Sequence, residues 1–84
     1  MENKKIIDVR SRMEFMGGHV AGSINIPLQE IPDHIEEIRG MGETIFCCAS
    51  GNRSGQAVNY LKAQGINCEN GGGWMELNFK LQNA

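Results

Sequence analysis

The run Thr44-Ile45-Phe46-Cys47-Cys48-Ala49-Ser50-Gly51-Asn52-Arg53-Ser54-Gly55 passes from apolar, partly β-branched residues into a glycine-bearing loop and on into a helical pattern. Thr44 to Cys47 has the length and composition of a buried strand. From Ser54 to Gln64, Ala57, Val58 and Leu61 share one helical face, and Gly65 follows as a stop. A strand, a short loop and a helix in that order turn several backbone N–H groups inward at the strand's carboxyl end. Cys48 heads this loop, so it is a candidate thiolate beside a ready anion site.

Working outward, Lys5 to Val9 reads as a second buried strand with Asp8 near its carboxyl end, and Ser23 to Ile26 as a short one stopped by Pro27. Ser11-Arg12-Met13-Glu14 has capping-box spacing, which predicts a short helix from Ser11 to Gly17-Gly18. Ile31, Ile35 and Ile38 recur at helical spacing, and Pro32 and Gly40 predict a helix over Pro32 to Arg39. Ile66 to Cys68 is a weak last strand, and Gly71-Gly72-Gly73 opens a final helix with Trp74, Leu77 and Leu81 on its apolar side. Strands alternating with helices predict a small doubly wound parallel α/β sheet of about four to five strands with right-handed crossovers. Ligands in such sheets bind at the carboxyl ends of strands, where Asp8, Arg10 and Cys48 all fall.

Eighty-four residues amount to one domain, 1–84, with no repeat or linker. A chain of this size buries ~60–65% of the surface its unfolded form exposes, so stability should be modest. Hydrophobic content of 40% and a formal charge of −2 give no reason to expect nucleic acid or a membrane as partner. Positive potential for an anion must come locally, from Arg10, Arg12 and Arg53. Met1 to Lys5 leads into an apolar stretch too short for a signal peptide or a span, which predicts a cytoplasmic protein. Three cysteines without regular spacing form no disulfide framework, and with His19 and His34 they offer no paired zinc-ligand spacing, so no metal is expected.

Ile6-Ile7-Asp8-Val9-Arg10, then Glu14-Phe15, then Gly18-His19-Val20-Ala21-Gly22-Ser23-Ile24-Asn25-Ile26-Pro27 resemble the amino-terminal signature of the single-domain rhodaneses. Cys48 to Ser54 resembles that family's active loop, C-x-x-G-x-R-S, and Gly71 to Gly73 stands where the family has a glycine turn before its last helix. Two departures are visible: about four residues precede the Asp-Val-Arg strand, and Trp74 lies ahead of the usual tryptophan position, which Leu77 takes. The resemblance implies a sulfurtransferase of the thiosulfate type that carries a sulfane sulfur as a persulfide on Cys48. It also implies a loop, Ala49, Ser50, Gly51, Asn52, Arg53 and Ser54, that binds a small anionic donor such as thiosulfate. Cyanide, a thiol, or a thioredoxin-like or sulfur-trafficking protein would be the acceptor, and no cofactor is implied.

Read from residue chemistry, the Cys48 thiolate is favoured by loop amides, by the following helix N-terminus and by Arg53, together worth roughly 1–4 pKa units. Ser54 is read first as a cap for that helix, with a hydroxyl aimed at Cys48 as the alternative. Arg10 is either a pocket wall that attracts anions or half of an ion pair, while Asp8 is read as structural support. His19 is read as a buried, hydrogen-bonded support, since sulfur transfer needs no base. Cys47 should face the opposite side of its strand and pack. Cys68 is read as core, and the methionines and Trp74 as packing.

Two other readings compete. Counted from Cys47, the loop also fits C-x5-R-S, the spacing of phosphatases and arsenate reductases, although no aspartate is evidently placed as a general acid. A persulfide carrier or binding module without efficient turnover is the other.

Overall fold

The computed structural model describes residues 4–83; the domain assignment over 1–84 and the reading of Met1 to Asn3 as free of a leader extend outside the described residues. The elements run β1 (Lys5–Asp8), α1 (Arg12–Met16), β2 (Ile24–Asn25), a 3-10 segment (Leu28–His34), α2 (Ile35–Arg39), β3 (Thr44–Cys48), α3 (Asn52–Ala63), β4 (Cys68–Gly73) and α4 (Trp74–Gln82). All strands are parallel, in the order β2-β1-β3-β4. This is the expected α/β sheet, at the lower of the two strand numbers.

Alternation along β1 and β3 divides the core into two layers. Ile7, Val9, Phe46 and Cys48 point to one face and meet Ile31, Ile38, Ala57, Val58 and Leu61 from the 3-10 segment, α2 and α3. Ile6, Ile45 and Cys47 point to the other, against Val20 and against Trp74, Leu77 and Leu81 of α4. Phe46 is fully buried, and its truncation to alanine should cost ~3–5 kcal/mol. Leu77 lies in the core, whereas Trp74 at the first turn of α4 is half-buried and lies against Arg10.

Most strand ends move by a single residue, and three elements differ further from the sequence reading. The strand expected over Ile66 to Cys68 runs Cys68–Gly73 instead, and the three glycines end β4 rather than open α4. Glycine is a poor strand former, but here β3 dictates the pairing: Phe46 aligns with Asn70, Cys47 with Gly72 and Cys48 with Gly73, and the register shifts at Gly71. A side chain at Gly71 would meet Ile45 Cγ2 at 2.7 Å, so the bulge lies flush on the core. The helix expected over Pro32 to Arg39 is α-helical only from Ile35, because Pro32 falls inside the 3-10 segment and has no N–H to give. α3 begins at Asn52, two residues ahead of Ser54. The capping box on α1 forms as read, with Ser11 and Glu14 bonded reciprocally.

Candidate active site

Cys48 ends β3 with its side chain on the α3 face, 1% exposed, beneath the loop that leads into that helix. Gly51 is the N-cap of α3 at φ +100°, the left-handed region where a β-carbon is strained, and its amide is thereby turned back onto Cys48. Gly51 N–H donates to Sγ at 3.0 Å, Ser54 N–H at 3.4 Å, and the Ser54 hydroxyl lies 3.3 Å away. Burial pushes the Cys48 thiol up, yet the Ser54 hydroxyl and the amides of Ser54, Ser50 and Gly51 outweigh it, and the thiol ends more acidic than usual. The Asn52 and Arg53 amides also belong to the opening turn of α3, where an α-helix offers them no partner of its own. The Ala49, Ser50 and Asn52 side chains stand exposed around the cradle.

The loop is braced from behind by β4. A β-carbon on Gly73 would lie 2.9 Å from the Ala49 carbonyl oxygen, and one on Gly51 would lie 3.4 Å from Gly72 Cα. Backbone rests on backbone here, which explains a glycine run at the end of a strand. Asn70 completes the brace: its Nδ2 donates to Gly51 O at 3.0 Å, and its Oδ1 accepts from Gly72 N–H at 2.9 Å and from the Ser54 hydroxyl at 2.7 Å.

Arg53 does not reach Cys48 by a hydrogen bond among the described residues. Its guanidinium makes a bidentate pair with Glu14, 2.8 and 3.0 Å, and so ties α3 to α1. Arg53 pulls the Glu14 carboxyl down to about 2, with the Ser11 amide assisting. The acidity of Cys48 therefore owes more to hydrogen bonds than to the arginine charge, a shift in emphasis from the sequence reading. Ser54 is corrected too. It occupies the third turn position of α3 rather than the cap, is fully buried, and spends its hydroxyl on Cys48 and Asn70.

Asp8 and Arg10 stand apart from the cradle. Asp8 is fully buried and accepts from Arg10 N–H at 3.0 Å, from Nε at 2.9 and 3.0 Å, and from Nη2 at 2.7 Å. The remaining reach of Arg10 goes to Gly18 O at 2.7 Å and to the Trp74 ring, whose centroid lies 4.9 Å from the guanidinium carbon. Only 4% exposed, Arg10 is engaged as frame and not as an open anion contact. His19, read as a buried support, is exposed; it stacks 3.7 Å on Phe15 in the turn after α1, with Nδ1 bonded to Phe15 O at 2.7 Å. Packing also fails for Met13, Met16 and Met75, which are 84, 82 and 69% exposed.

The other cysteines separate cleanly. Cys47 points into the opposite layer, and burial, with Asp8 nearby, pushes its thiol up to about 12. A phosphatase-type loop counted from Cys47 would need that sulfur inside the cradle, and it lies across the sheet. Cys68 aligns with Thr44, four positions along the β3–β4 ladder from the Cys48–Gly73 pair, or ~13 Å by strand rise. A disulfide to Cys48 is out of reach without breaking the sheet. Burial also pushes the Cys68 thiol up.

Two residues of the assembly escaped the sequence reading. Asn70 drew no assignment, and Glu14 was read as a capping partner and as part of the amino-terminal signature, with no link to the loop. Their signal was position: each lies on an element whose end faces the loop.

The model of the Rhodanese-like domain family matches residues 1–78. The chain is 36% identical over 74 residues to the thiosulfate sulfurtransferase PspE of Escherichia coli, covering 84% of this chain and 71% of PspE. With the putative sulfur carrier protein YrkF of Bacillus subtilis it shares 36% over 65 residues, 77% of this chain and 35% of YrkF. The chain spans about a third to a half of the first curated relatives it matches. Among solved structures, an E. coli rhodanese with anions superposes with a TM-score of 0.77 at 35% identity, covering 86% of this chain and 88% of that one. Among the described residues no helix is long and apolar enough to cross a membrane. Because the family match takes in the cradle, the strands beside it and the glycine brace together, the chain belongs to the rhodanese-like domain family.

Proposed function

We propose that this chain is a sulfurtransferase that carries a sulfane sulfur on Cys48. The observation that carries the reading is the Cys48 sulfur held under the α3 N-terminus with amide and hydroxyl donors already aimed at it. In the first half-reaction the Cys48 thiolate attacks the outer sulfur of a small anionic donor such as thiosulfate. A new sulfur–sulfur bond forms, the donor's own sulfur–sulfur bond breaks, and sulfite leaves with the electron pair. The negative charge then sits on the terminal persulfide sulfur, where the Asn52 and Arg53 amides of the helix turn can receive it. In the second half-reaction an acceptor such as cyanide or a thiolate attacks that terminal sulfur and returns Cys48 as thiolate. No proton needs to move in either half, so no general base is required.

Similarity to PspE supports the thiosulfate donor. Similarity to YrkF supports the related role of a persulfide carrier that hands sulfur to a protein acceptor of thioredoxin-like or sulfur-trafficking type. Steady-state formation of thiocyanate from thiosulfate and cyanide tests turnover. Parallel double-reciprocal lines, which a substituted-enzyme scheme requires, are the expected result. A persulfide that forms without turnover would favour the carrier, and absence of both would remove the proposal.

A further inference from the structure

Ser54 is fully buried and its hydroxyl has one proton, yet two acceptors compete for it: Cys48 Sγ at 3.3 Å and Asn70 Oδ1 at 2.7 Å. The orientation of the Asn70 amide is fixed by its other contacts, because Oδ1 accepts from Gly72 N–H and Nδ2 donates to Gly51 O. Oδ1 can therefore only accept. Although Asn70 is an exposed residue, its amide bonds to the loop, to α3 and to its own strand. Gly55 gives it room, since a β-carbon there would sit 3.3 Å from Nδ2.

We propose that Asn70 is a positioning residue that governs the Ser54 proton, holding it while Cys48 is a neutral thiol and giving it up when Cys48 becomes a thiolate. With the thiol, S–H donates to Ser54 Oγ and the Ser54 hydroxyl donates to Asn70 Oδ1, so each group in the chain is satisfied. When the thiol proton leaves to bulk water, the Ser54 hydroxyl rotates onto Sγ and Asn70 Oδ1 keeps only the Gly72 amide as a donor. Asn70 thus favours the thiol and tempers a site that would otherwise hold a bare thiolate more strongly. Once the outer sulfur is bound, Sγ bears no formal charge and the hydroxyl can return to Asn70. This relieves the competition in the loaded state.

The charged groups packed around the loop are Arg53 with Glu14 from α1, the Asp8–Arg10 pair at the carboxyl end of β1, and Glu76 of α4, whose Oε1 lies near Gly73. Cys47 and Cys68 are the other titrating thiols, across the sheet and at the far end of β4. None of these is hydrogen-bonded to Cys48, Ser54 or Asn70 among the described residues, so the side-chain hydrogen bonds at Cys48 run through Ser54 to Asn70.

The inference rests on Cys48 as the reactive thiol, and its test uses alkylation, which proceeds whether or not sulfur transfer does. The rate of iodoacetamide reaction with Cys48 is followed against pH for the parent, Asn70→Ala, Ser54→Ala and the double variant. Loosening of the Gly51 loop contributes equally to the asparagine substitution in both backgrounds, so the difference between backgrounds isolates the hydroxyl. The expected result is that Asn70→Ala shifts the Cys48 midpoint ~0.5–1 unit further to the acid side with Ser54 present than with Ser54 absent. Equal shifts in the two backgrounds would reduce Asn70 to a structural brace and overturn the proposal. If Asn70→Ala does not fold, Asn70→Leu, which keeps bulk and removes both polar groups, is read in the same way.

Discussion

Replacing Gly73 by alanine separates the brace behind the active loop from ordinary stability. At φ −72° and ψ 141° an alanine backbone is unstrained, so the whole cost comes from the new methyl group, 2.9 Å from the Ala49 carbonyl oxygen. That neighbour is backbone. To restore van der Waals spacing, Ala49 must retreat by a few tenths of an ångström, which costs ~1–3 kcal/mol as overpacking. The retreat pulls directly on the segment whose Gly51 amide sits 3.0 Å from Sγ. A hydrogen bond to a charged acceptor contributes ~1.5–3 kcal/mol, so its loss should lower the transfer rate by ~10–150-fold. Gly65→Ala is the control: at φ +80° with nothing within 4 Å of the added carbon, it should lose ~1–2 kcal/mol from backbone strain alone. Urea unfolding and thiocyanate formation measured on both variants give the comparison. The account requires similar losses of stability but a large loss of activity only in Gly73→Ala. Equal activities would refute the idea that β4 sets the loop.

Ser54→Ala removes one donor from the thiolate and should raise the midpoint of Cys48 alkylation by about one unit, read from the rate–pH profile. Glu14→Gln breaks the bidentate link to Arg53; both side chains are more than a third exposed, so solvent screening limits the stability loss to ~0.5–1 kcal/mol in urea unfolding. The folded Glu14 carboxyl sits near 2 against its ordinary 4.5, so the pair's contribution is complete above pH 4.5 and is lost as pH falls from there toward 2. An acid unfolding curve of Glu14→Gln should lack that portion, and one identical to the parent's would contradict the pairing. Iodoacetamide at neutral pH should label Cys48 alone, because burial holds the Cys47 and Cys68 thiols above their ordinary range; peptide mapping checks this.

Much of the site was legible because its parts are local. Strand, loop and helix follow one another between Thr44 and Ala63, so the placement of Cys48 at the head of an amide cradle can be read from adjacent residues. The opposite facing of Cys47 follows from strand periodicity alone. What stayed hidden depends on contacts between distant segments. Arg53 was read as both a hold on the loop, through carbonyls or a carboxylate, and a charge for the anion, because nothing local shows Glu14, 39 positions earlier, arriving opposite it. The role of Arg10 turned on whether Trp74 would lie over it. β4 was misplaced because Asn70 to Gly73 have poor strand propensity, and only pairing with β3 overrides it. Ser54 was read as a cap because Gly51, with no side chain to signal the role, starts the helix instead.

Intact mass after thiosulfate treatment of the reduced protein, beside Cys48→Ser and Cys47→Ser, tests the central claim most directly. The account predicts a gain of one sulfur atom in the parent and in Cys47→Ser, removed by cyanide, and no gain in Cys48→Ser. An adduct that persists in Cys48→Ser, or that disappears in a folded Cys47→Ser, would contradict it.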